Sequence, residues 1–151
     1  MSRKHKKPRV KEHPQHAGKG NVRVGADPGT AQKKTPAWKI GTFDVDGPWG
    51  HSRVDTERLW TELSPKLKNY ESMTWAEIER DKHHNHSVPV EQLISEARRR
   101  LQQLKLDDVE SLFRFRLSGK ERLWGRRDLE VFYVIWWDPE HEICPCQLRN
   151  A

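Results

Sequence analysis

Cysteine is almost absent: the 151 residues hold two, Cys144 and Cys146, separated only by Pro145. A disulfide between residues so close is strained, and two thiols cannot staple a secreted fold, so a reduced, cytoplasmic setting is expected. Long hydrophobic runs are missing too. The longest, Val131 to Trp137, is seven residues, against the roughly 20 that a membrane-spanning helix needs. No stretch has the pattern of a signal peptide. Hydrophobic residues make up 34 % of the chain and charged residues 33 %, which is poor in apolar and rich in charged side chains for a globular domain.

The shortage is concentrated at one end. From Met1 to Lys39 the only aliphatic residues beyond alanine are Val10, Val22 and Val24. Residues 1–40 carry eleven Lys and Arg against Glu12 and Asp27, a net +9, so the other 111 residues carry −3 of the total +6. Such a segment cannot bury enough apolar surface to offset the entropy of ordering it. Residues 1–37 are therefore expected to be a disordered basic tail, suited to non-specific attraction to phosphate backbones. Residues 38–151 are expected to form a single domain.

Periodicity begins where the tail ends. A short strand is expected over 39–45, before the turn Asp46-Gly47-Pro48. Leu59, Trp60, Leu63, Leu67 and Tyr70 form the apolar stripe of an amphipathic helix with Asp55 as N-cap, kinked or restarted at Pro65. Thr74 and Glu77 form a capping box for a short helix that ends at His83-His84-Asn85-His86. A further helix is expected from Val90 to Leu104. After Asp107-Asp108 the period changes to two. Phe113 to Leu117 alternates with arginine, Lys120 to Arg127 reads as a second strand, and Val131 to Trp137 is apolar on both faces. A last edge strand is expected from His141 to Gln147. This order predicts an α+β fold: two or three N-terminal helices packed on one face of a three- to four-stranded antiparallel sheet.

The chemistry-bearing residues gather in the strands. Arg114, Arg116, Lys120, Arg122, Arg126 and Arg127 form a basic set in which residues two apart share a face. Guanidinium groups can hold a phosphate bidentately. Trp124, alternating with arginines, is the tryptophan most open to exposure, where it could stack on a base; the favoured reading packs it in the core or at its rim. Alternatively, these residues are the solvated face of a sheet whose other side packs on helices. His83, His84 and His86 with Cys144 and Cys146 lack the common spacing of a zinc site, so no metal or other cofactor is expected.

The run FRFRLSGKERLWGRRDLEVFYVIWWDPEHEICP, from Phe113 to Pro145, resembles the sheet of the RelE/ParE-like toxin superfamily. Phe115-Arg116-Leu117, Arg122-Leu123 and the apolar strand carry the resemblance, which extends over roughly residues 55–147 and leaves out the tail and the DGPWG segment at 46–50. Many members carry a tyrosine near the C-terminus, where this chain has Ile143-Cys144-Pro145. The resemblance implies an endoribonuclease acting on mRNA at the ribosome and held in check by an antitoxin protein. It places Arg122 or Arg126 at the scissile phosphate and His141 as general acid or base. Arg114, Arg116, Lys120, Trp124 and Arg127 would then bind the nucleic acid. The alternative is a non-catalytic nucleic-acid-binding or protein-interaction domain with the same sheet.

Overall fold

The computed structural model describes residues 27–145. The tail expected over residues 1–37 therefore lies mostly outside the described residues, as does Cys146. Residues 27–36 belong to the fold. They form a helical turn, α1 (Pro28–Ala31), capped by the Asp27 side chain. Ala31 is buried, and the carbonyls of Lys34 and Gln32 accept the backbone N–H groups of Trp75 and Ala76.

Five strands form one sheet: β1 (Ala37–Lys39), β2 (His86–Pro89), β3 (Ser111–Ser118), β4 (Glu121–Asp128) and β5 (Val131–Asp138), in the order β1-β5-β4-β3-β2. β2 to β5 are joined antiparallel, while β1 runs parallel to β5. The fold expected from sequence is thus corrected on three counts. The sheet has five strands and is mixed. The helices do not lead the sheet: apart from the α1 turn they all follow β1, and β2 falls between those of residues 56–80 and that of residues 95–103. They also cover both faces. The strand expected over 39–45 is misplaced: β1 ends at Lys39, and turns and bends follow to residue 50. Strands of three and four residues, such as β1 and β2, are too short to show alternation.

The first face is packed by the helical segment 56–71 and by α4 (Trp75–Arg80). Asp55 caps the start of α2 (Thr56–Arg58) through its bond from the Glu57 N–H, 2.9 Å. A π turn over Leu59–Leu63 leads into α3 (Ser64–Glu71), with Pro65 near its start. Proline has no N–H and crowds the carbonyl four residues earlier, and the widened turn meets that constraint without ending the helix. Thr74 caps α4 as its spacing predicts, accepting the Glu77 N–H at 3.3 Å. Leu63, Trp75 and Ile78 bury themselves against Phe113, Phe115, Leu123, Phe132, Val134 and Trp137. Each such side chain stabilises the fold by about 1.5–3 kcal/mol.

The second face is covered by α5 (Ser95–Gln103), whose Ala97 and Leu101 pack with Trp49, Leu93 and Ile143 on Val88, Leu112, Trp124, Ile135 and Trp136. The single helix expected over 90–104 is broken. Val90–Gln92 is a separate 3-10 turn, and Leu93 and Ile94 are extended. α5 is tied to the chain just before the DGPWG loop by a partly buried ion pair: Arg100 donates from Nε and Nη2 to the Asp44 carboxylate at 2.9 and 2.7 Å, and Trp136 Nε1 adds a third bond at 3.0 Å. A side chain at Gly47 would put its Cβ 2.0 Å from Asp44 Oδ2, so the loop closes over the carboxylate only because residue 47 is glycine. The expected edge strand at the C-terminus is instead a loop over 141–145. Among the described residues no helix is long and apolar enough to cross a membrane.

Candidate functional site

Strand register sorts the predicted site residues into two groups. His86 lies opposite Arg114, Arg114 opposite Trp124, and Trp124 opposite Trp136. One step nearer the β3–β4 turn, Arg116 lies opposite Arg122 and Arg122 opposite Asp138. Directly opposed residues share a face. His86, Arg114, Arg116, Arg122 and Asp138 therefore stand together on the second face, beside the part that α5 covers.

The other group falls away. Arg126 is exposed at the far end of β4, four residues and about 13 Å from Arg122. It lines a shallow cleft of about 290 Å³ with Ser87, Asp108 and Glu110. Arg127 turns to the first face, where it stacks over Trp75 at 4.1 Å and pairs with Glu79 and Gln32. Lys120 is exposed at the hairpin tip. Trp124, the candidate for stacking on a base, is packed in the core at 0 % exposure, since α5 covers the face that a one-sided sheet would leave open. Its ring lies 6.0 Å from the Arg114 guanidinium, so it seats that arginine and offers no platform for a base.

Arg114 and Arg122 are 7 % and 6 % exposed, and main-chain oxygens hold both. Arg114 Nη2 donates to the His83 carbonyl at 3.1 Å, and Arg122 Nη1 donates to those of Gly119 and Glu121 at 2.7 and 3.1 Å. Fixed guanidiniums in a dry setting are pre-organised for an anion.

Two imidazoles flank them. His86 is on β2, and His141 is in the loop after β5, on the other side of the arginine-bearing strands. His141 has a left-handed backbone, φ 58°, a conformation that costs energy for any residue but glycine and is concentrated at functional sites. Asp138 builds that loop: its buried carboxylate accepts the N–H groups of Glu142 and Ile143 at 2.9 and 3.0 Å. Burial pushes the Asp138 pKa up, and those two bonds only partly oppose it.

Both imidazoles are pushed towards the neutral form. Burial, then the Arg114 charge, lowers the His86 pKa. Burial, then Arg122 and Arg114, lowers that of His141. Each ring makes one backbone bond that favours its protonated form, His86 with Lys82 and His141 with Cys144, so that nitrogen is the donor. The other nitrogens, His86 Nδ1 and His141 Nε2, are buried and have no hydrogen-bond partner. In a neutral ring whose other nitrogen donates, these two carry lone pairs.

Sequence reasoning weighed His84 and His86 only as metal ligands, placed Tyr70 only on an apolar helix stripe, and passed over Asn85 and Asp138. The signal for the histidines was available: His84 and His86 are two apart in front of Val88, and that is strand spacing. No signal tied Asp138 to the loop that follows it. Among the described residues no three His, Cys, Asp or Glu side chains gather as a metal ion would require. Comparison of the chain with protein-family models, with curated proteins and with solved structures finds no match.

Proposed function

We propose that the cluster binds and cleaves an RNA phosphodiester, which is the activity implied by the resemblance to RelE/ParE-like toxins. One observation carries the reading: two unpartnered imidazole nitrogens with lone pairs flank two buried arginines. The arginines call for a phosphate and the lone pairs for a hydroxyl donor. A ribose 2′-hydroxyl beside its own 3′-phosphate supplies both, and DNA supplies only one.

In this reading His141 Nε2 takes the 2′-hydroxyl proton as the oxygen attacks phosphorus, while Arg114 and Arg122 stabilise the charge that grows on the phosphoryl oxygens. The P–O5′ bond breaks, leaving a 2′,3′-cyclic phosphate. His86, on the far side, gives the 5′-oxygen its proton, because the bound anion raises the pKa of a neighbouring imidazole.

The test uses a DNA oligonucleotide with one embedded ribonucleotide, incubated with the purified chain with and without ribosomes. Scission only after the ribonucleotide, with a cyclic phosphate end, is expected. His141→Asn should abolish scission and leave binding intact, since asparagine tolerates the left-handed backbone and brings no base. Binding without scission by wild-type protein would assign the chain to the non-catalytic alternative. Neither binding nor scission would overturn both.

A further inference from the structure

The loop His83-His84-Asn85, which reads in sequence as a polar connection, touches both arginines of β3. The His83 carbonyl accepts from Arg114 Nη2. The buried Asn85 accepts the Arg116 backbone N–H with Oδ1 at 3.0 Å, and its Nδ2 donates to the Ile78 carbonyl at 3.3 Å. The Tyr70 hydroxyl donates to the Arg116 carbonyl from α3. Backbone and loop are thereby locked to each other beneath the Arg116 side chain.

That side chain has one further contact. Arg116 Nη1 lies 2.6 Å from His84 Nε2, and His84 Nδ1 lies 2.7 Å from Asp81 Oδ2. Arginine can only donate, so Nε2 must be the acceptor, and the ring proton must be on Nδ1, facing Asp81. The bond to His84 also holds the Asp81 carboxyl below its usual range, in spite of a small opposing effect of burial. The chain Asp81–His84–Arg116 therefore runs in one direction, from carboxylate through neutral imidazole to guanidinium.

We infer that His84 is a positioning residue: it holds Arg116 beside Arg122 as a third guanidinium for the phosphate, and Asp81 sets its tautomer. This rests on the phosphodiester reading and deepens it. Three points support it. Arg116 is directly opposite Arg122 on the shared face. Its partner is a neutral acceptor, which aims the group without neutralising its charge, whereas a carboxylate there would compete with the substrate. The guanidinium is half-buried, so it can meet a ligand from solvent.

The experiment measures affinity of the full chain for a fluorescent, 2′-O-methylated single-stranded RNA, which binds but cannot be cut. His84→Leu should weaken binding about tenfold, as expected for one charge-assisted contact. His84→Gln, which keeps an acceptor, should stay within about twofold of wild type. In an Arg116→Gln background, His84→Leu should cost nothing more, and the slope of log affinity against log salt should already have fallen by about 0.7. Equal loss in the Leu and Gln variants, or an undiminished loss without Arg116, would overturn the positioning role and leave the phosphodiester reading standing. No binding by wild-type protein would overturn that reading and this one together. If His84→Leu does not fold, nitrogen NMR of the wild-type imidazole decides. An unprotonated Nε2 whose resonance moves in Arg116→Gln supports the role, and a protonated Nε2 overturns it.

Discussion

In the proposed function, His141 is the residue on which the chemistry turns. Its pKa is lowered in the folded chain by burial and by Arg122 and Arg114. The folded state therefore prefers the neutral ring, which adds stability above the unfolded value of about 6.5; that stability is lost as pH falls through the lower folded value. In the proposed reaction, the same shift would keep a His141 base competent in mild acid. For RNA cleavage, the acid limb of kcat/KM should lie below about 6.5, while that of kcat, which reports the complex, should be displaced upward by the bound phosphate. Superimposable limbs near the ordinary imidazole value would exclude His141 as the base. Arg122 behaves differently. An arginine in an alternating strand suggests an exposed side chain whose loss leaves folding unchanged, but at 6 % exposure it serves the Gly119 and Glu121 carbonyls. Arg122→Ala should therefore lower the stability in urea by about 1–3 kcal/mol as well as weaken RNA binding, because it leaves buried acceptors unpaired.

At the level of elements, β3, β4 and β5 were legible because eight-residue strands with alternating or continuous apolar patterns leave little choice. The β4–β5 pairing nevertheless holds an irregularity that no pattern announces. The register shifts between Trp124 and Gly125, so that Ile135 and Trp136 both reach the second face. Gly125 makes the shift possible: a Cβ there would lie 2.2 Å from the Tyr133 carbonyl oxygen and 2.7 Å from the Phe132 ring. Gly125→Ala should destabilise the domain by about 2 kcal/mol or more, the cost of overpacking against backbone that cannot retreat. A urea midpoint unchanged from wild type would mean that the two strands pair without the bulge. Asp138→Asn tests the loop that carries His141. The carboxylate serves the two N–H groups with one oxygen each, and an amide replaces one of those oxygens with an NH2 donor, so cleavage should fall, while RNA affinity, which the proposal assigns to the arginines, should hold within about threefold.

Across the whole molecule, the second layer depends on Asp44. Burial pushes its carboxyl up, but the bonds from Arg100, Trp136 and Gly47 outweigh that and hold it below the usual range. A lowered carboxylate pKa contributes stability above the unfolded value, near 3.9, that is lost as pH falls through the folded value. Asp44→Asn should therefore lower Tm at neutral pH and narrow the gap between neutral and acid Tm; an unaltered gap would mean that the ion pair does not hold α5 to the sheet. The N-terminal boundary is open to a separate check. Since α4 takes two backbone bonds from residues 32 and 34, trypsin should cut slowly after Lys33 and Lys34 in the native chain, and rapid cleavage there would move the boundary back towards Trp38.

By itself the sequence determined the local features: the capped helices starting at Asp55 and Thr74, three long strands with short turns, and the pairing of Arg114 with Arg116 on one face. These depend on neighbours within a few positions, where cap geometry and side-chain period leave few alternatives. It set the first strand too late in the chain, and was silent on β2, on which face α5 would cover, and on the union of His86, Arg114, Arg122 and His141. Those depend on contacts between segments tens of residues apart. A three-residue strand such as β1 has no pattern of its own, and exists because the open edge of β5 supplies its hydrogen bonds. The same long-range packing buried Trp124, turned Arg127 away to Glu79, and left two buried imidazole nitrogens without a hydrogen-bond partner in the field of a pair of arginines.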